Sequence, residues 1–123
     1  RSRGLGDVYK RQNMDYGDDY YLIPKVLFQD DFYKDLVPLD VIVYSVLRNK
    51  QEEAIEKGWV DDEGNIYLAY RIEDLAKKFS CARTTMVAVL QRLESVNLIE
   101  RERQWNTSYY NHNLPYMTYI NEV

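Results

Sequence analysis

Cysteine and histidine each occur once in the 123 residues, proline three times and glycine five times. A lone Cys81 excludes an internal disulfide and suits a reducing cytoplasm. With His112 as the only imidazole, no His/Cys set stands at metal-ligand spacing. Glycine-rich phosphate loops and nucleophile motifs are missing as well. No apolar run approaches the roughly 20 residues that a membrane helix needs. The one acidic run that resembles a cation site, Asp61-Asp62-Glu63, precedes Gly64 and reads as a solvated turn. Enzyme, metalloprotein and membrane-span readings therefore find no residues to carry them, and the expectation is a non-enzyme without cofactor or metal.

What remains is one domain's worth of chain, long enough for a single core. Residues 1–12 are set apart. The stretch SRGLGDVYKRQ back-translates codon by codon into a transposon-end adapter used for sequencing libraries, so it is read as adapter read-through with no structure of its own. The other reading is a basic arm that touches nucleic acid. On the adapter reading the native start is Met14 or is missing altogether. From residue 13 to 70, 5 Lys/Arg face 13 Asp/Glu, a net of −8, whereas residues 71–103 carry 7 against 5, a net of +2. An acidic body thus holds one mildly basic segment, and the sign of that segment matters more than the total.

Residues 13–37 are aromatic-rich and interrupted by Pro24, which favours an extended N-terminal segment. From Pro38 to the end, residues 38–123, the chain reads as one domain. Leu39, Ile42, Val43, Val46 and Leu47 are spaced for a helix with one buried face, continuing to a stop at Gly58. IYLAY, residues 66–70, is β-prone. A second helix follows with Ile72, Leu75, Ala76 and Phe79 inward, then the break SCA. A third helix is striped by Met86, Val89, Leu90, Leu93 and Val96 and ended by Asn97 in a left-handed conformation. LIERERQ and YMTYIN read as two strands joined by the loop from Trp105 to Pro115. The fold class is a mostly α, α+β winged helix-turn-helix with a C-terminal β-hairpin wing.

In such a fold the third helix is the one that enters a DNA groove. Its first turn holds Arg83, Thr84 and Thr85, with Ala88 one turn on and Val87 and Gln91 near the exposed side. Arginine suits a bidentate contact to guanine, and threonine can bond a base edge or pack its methyl on thymine. The free amides and positive pole of the helix start suit a phosphate. These four residues are the candidate base contacts; the competing reading is that they only solvate and cap a helix start. Lys77, Lys78, Arg92 and Arg101 are the candidate phosphate contacts, which fix register and make binding salt-dependent. Arg92 has the alternative of pairing with an acidic neighbour. Strand alternation puts Arg101 and Arg103 on one face of the wing, where surface ion pairs compete with backbone contact. The wing tip, WNTSYYNHN, has no Lys or Arg, and Trp105 reads as a packing anchor.

The segments YLIPKVLF, LDVIVYSVLRNK, GWVDDEGNIYLAYRIEDLAKKFSC, LQRLESVNLIERERQ and YINE resemble the N-terminal domain of the RepA family of plasmid replication initiators. The resemblance spans nearly all of residues 20–123, and the Pro-Lys pair and the GW..D.GN.Y turn lie outside the generic helix-turn-helix pattern. It implies a winged helix that binds repeated duplex DNA sites at a plasmid origin, as a homodimer, with a separate C-terminal region that recruits host replication proteins. On this reading only the DNA-binding part is in hand. The chain departs from the family pattern at Ala82, where a small polar cap is usual, and at Ala88, where Lys is common. It departs also at Arg71, in place of a Thr or Ser cap, and in a wing without the usual Gly and Lys. A transcriptional regulator on the same fold, and a protein-docking winged helix favoured by the −8 body, are the alternatives.

Overall fold

The structure, a computed structural model, describes residues 19–104 and 114–123. The adapter-like residues 1–12 and the wing tip, with Trp105 and His112, lie outside them. In chain order the elements are α1 (Val26–Gln29), a 3-10 turn (Asp31–Tyr33), α2 (Pro38–Asn49), α3 (Gln51–Glu56), α4 (Ile72–Lys78), α5 (Arg83–Ser95), β1 (Ile99–Glu102) and β2 (Met117–Ile120).

The segment before α2 is not extended throughout, as expected from Pro24, but coils into α1 and the 3-10 turn. Pro24 sits ahead of the first helical residue, so its missing N–H costs nothing, and its carbonyl accepts from the Leu27 amide. The 3-10 turn starts where the Asp30 side chain accepts from the Phe32 amide.

α2 is the central rod. Pro38 takes its first position, and Asp40 reaches back to accept the Val37 amide at 2.9 Å. Eight of its residues are buried, among them Val41, Val43, Tyr44, Val46 and Leu47. Leu39 packs at the core margin, but Ile42, expected inward, is 45% exposed, while Tyr44 is fully covered. A helix enclosed on most sides leaves its apolar spacing unable to say which side stays open. The expected single helix to Gly58 is interrupted at Lys50, beyond which α3 continues; Gly58 does end it, at φ +75°.

Three helix ends share one geometry. At Gly58, Ser80 and Asn97 the backbone turns left-handed. The following amide then reaches back to the last turn, Trp59 to Ala54, Cys81 to Ala76 and Leu98 to Leu93. The second of these makes the turn between α4 and α5, so the helix-turn-helix corner is a Schellman cap with serine in the glycine position.

β1 and β2 pair antiparallel with Ile99 opposite Ile120 and Arg101 opposite Thr118. The β-prone IYLAY contributes no full strand: Leu68 alone exchanges two 2.8 Å bonds with Thr118, and Val60 bridges Ile66. Asp61 closes this turn by accepting from the amides of Glu63 and Asn65 and from the Tyr119 hydroxyl. The acidic run is thus a hydrogen-bonded corner. Beside it Trp59 lies edge-on to Tyr70, with the Lys57 ammonium over its ring. Tyr44 donates to the Asn121 carbonyl at 2.6 Å, which ties α2 to the end of β2.

Candidate nucleic-acid interface

α5 is positioned by its apolar face. Met86, Val89, Leu90 and Leu93 are buried against α2, α4 and β1, as their spacing predicts. Fixing that face determines the opposite one, where Thr84, Ala88 and Gln91 follow one another at helical spacing. Arg83, Thr84, Thr85 and Gln91 are exposed and Ala88 is half-buried. No side chain caps the α5 N-terminus, since Ala82 has no acceptor. Its first-turn amides are not occupied by a cap.

Arg83 is not covered by protein. Its side chain is 59% exposed and meets one carboxylate, Glu73, through a 3.0 Å bond from Nε to Oε1. The Glu73 carboxyl is held below its usual range, first by its own backbone amide and then by the Arg83 bond. Lys77 and Lys78 are exposed in the last turn of α4, next to the corner that leads into α5. Six of the eight candidate residues therefore lie together, around the α4–α5 corner and along one side of α5.

The other two are engaged elsewhere. Arg92 forms a two-pronged pair with Asp40, Nε to Oδ2 at 2.7 Å and Nη2 to Oδ1 at 3.0 Å. That bond raises its pKa and fastens α5 to the start of α2. Arg101 donates to Glu94 at 2.7 Å, stacks over the Tyr116 ring and is only 14% exposed. Sequence spacing could not reveal Asp40 as a partner 52 residues away. Arg103, on the same side of the wing over Tyr116, is exposed and forms no ion pair among the described residues. Gln91 is the residue to which the sequence assigned no role although it sits on the exposed stripe; its spacing of seven from Thr84 is the signal.

Among the described residues no group of three His, Cys, Asp or Glu side chains could hold a metal ion. Among them, too, no helix is long and apolar enough to cross a membrane.

A family model for the N-terminus of replication initiator protein A (RepA) matches residues 19–123. The chain belongs to this family.

Among solved structures, a Rep–DNA complex is similar to the RepA-family chain at a TM-score of 0.74 and 30% identity, covering 89% of this chain and 80% of that one. The N-terminal domain of a DNA-binding protein matches equally well, over 79% of its length. The structure of an MDR initiator has a TM-score of 0.72 at 30% identity, over 82% of its length. These likenesses agree with a winged helix. A curated relative, a 41 kDa protein of Lactobacillus helveticus, is 22% identical over 85 residues. That stretch is 69% of this chain and 24% of the relative, so the RepA-family chain matches about a quarter of the relative's length.

Proposed function

We propose that this RepA-family domain binds repeated duplex DNA sites at a plasmid origin, with α5 as the helix that enters the major groove. The observation that carries the reading is the pairing of a fully buried apolar face on α5 with an open first turn bearing Arg83, Thr84 and Thr85. The Rep–DNA complex at 30% identity adds independent support. Arg83 takes a guanine edge, Thr84, Thr85 and Ala88 lie along the neighbouring base pairs, and Lys77 and Lys78 meet phosphates. Arg92 and Arg101 sit nearby but serve first to pin α5 and β1 through Asp40 and Glu94. The domain performs no catalysis and works in the cytoplasm. Two copies, paired through the aromatic N-terminal segment, read half-sites about one helical turn or a multiple apart. Recruitment of host replication proteins falls to a region beyond this one.

Selection of duplexes from a randomised library, followed by binding at graded salt, tests the reading. A defined motif should emerge, with log K falling by roughly 0.9 per neutralised phosphate for each unit of log salt. Arg83→Ala should relax the preference at one base pair by roughly five- to a hundredfold. Absence of binding even at low ionic strength would instead favour the protein-docking reading, which the −8 charge of residues 13–70 supports.

A further inference from the structure

Glu73 has no obvious place in an interface for a polyanion. It sits in the first turn of α4, ten residues before Arg83, with its side chain 61% exposed beside the proposed base-reading turn. A carboxylate there repels phosphate and lowers affinity for any duplex. Yet it accepts the Arg83 Nε–H at 3.0 Å. α4 and α5 are packed together through Leu75, Ala76, Met86 and Leu90, so the two ends of the pair are held at a fixed separation.

We propose that Glu73 is a positioning residue for Arg83, holding the guanidinium by Nε so that its Nη1/Nη2 edge is set for guanine. The inference rests on the reading of Arg83 as a base contact. An arginine side chain carries much rotamer freedom, and a bidentate contact requires nearly all of it to be lost. Holding Nε beforehand removes part of that loss from the binding step and leaves the two terminal nitrogens, which have no protein partner among the described residues, for O6 and N7. The same carboxylate penalises contacts that do not use Arg83 well, because they keep the repulsion without the gain. Glu73 therefore lowers general affinity and sharpens discrimination.

The test uses the duplex chosen by the wild-type domain and a second one altered at the base pair that Arg83→Ala relaxes. Glu73→Ala should bind random duplex about two- to fivefold more tightly and lose about five- to tenfold in discrimination between the two sites. Glu73→Gln, which keeps an acceptor for Nε, should retain part of the discrimination while gaining general affinity. In the Arg83→Ala background, Glu73→Ala should no longer change the discrimination. Thermal melts of each variant separate these effects from loss of fold, since an exposed ion pair contributes little to stability. If Arg83→Ala lowers discrimination and Glu73→Ala leaves it at the wild-type value, the pair is only a surface salt bridge and the proposal fails. If Arg83→Ala itself leaves every base preference unchanged, the base-contact reading fails first and takes this inference with it.

Discussion

Asp40 is fully buried; its Oδ2 accepts from both the Val37 amide and Arg92 Nε, and its Oδ1 accepts from Arg92 Nη2. One carboxylate thus caps α2 and fastens it to α5. Arg92→Ala leaves this buried group without its cation and should destabilise the domain by about 2–4 kcal/mol, read by chemical denaturation. Because Arg92 is committed to Asp40, the salt dependence of DNA binding should stay unchanged in the folded variant. A slope reduced by about 0.9 would instead make Arg92 a phosphate contact. Tyr44 offers a simpler case. Tyr44→Phe strips the Asn121 carbonyl of its 2.6 Å donor at a buried site and should cost about 1 kcal/mol in the same measurement.

At the scale of elements, α5, the proposed recognition helix, starts without a side-chain cap. Ala82→Ser supplies an acceptor for the free amides of the first turn and should raise stability by about 1 kcal/mol in thermal unfolding. A gain of nothing would mean that the Ala82 backbone, at φ −70° and ψ 154°, does not let a hydroxyl reach the amides. The buried stripe of α5, the inward Leu75 and Ala76 of α4, the left-handed Asn97 and the β1–β2 hairpin were all legible in the sequence, because each follows from spacing or local backbone preference. Other features were not. Ile42, expected inward, is exposed and Tyr44, outside the expected stripe, is buried, because α2 is enclosed on most sides, where periodicity loses its contrast. IYLAY supplies only the isolated bridges at Ile66 and Leu68, since strand propensity cannot say how much partner edge is free. The partners of Arg92 and Arg101 depend on tertiary approach, which no local pattern encodes. The exposed turn Arg83-Thr84-Thr85 was legible for the opposite reason: once the apolar stripe is fixed, the remaining face is determined.

For the whole molecule the governing feature is charge. Residues 13–70 hold the −8, whereas Lys77, Lys78 and Arg83 flank the corner between α4 and α5. On the proposed reading, repulsion between the acidic segment and phosphate would turn that corner toward the duplex. The carboxylates also set the response to acid. Glu53 is held below its ordinary value chiefly by the Tyr70 hydroxyl, and Glu73 by its own amide and Arg83. At Asp61 desolvation works upward, but the bonds from Asn65, Tyr119 and Glu63 prevail and the net shift is downward. Groups with depressed folded values bind fewer protons folded than unfolded. Their contribution is complete above the ordinary carboxylate range near pH 4 and is lost as pH falls below it. Stability should accordingly decline from about pH 5 toward pH 2, and Asp61→Asn should make that decline shallower while lowering stability at neutral pH.

The claim on which the account stands is that the open first turn of α5 meets DNA. Backbone amide shifts recorded while the selected duplex is added to isotope-labelled domain test it residue by residue. The largest changes are expected at Lys77, Lys78 and from Arg83 through Gln91, with α3 and the Asp61 turn unmoved. Changes confined to the acidic segment from Tyr20 to Phe32, or to α3, with Arg83 to Ala88 silent, would contradict it.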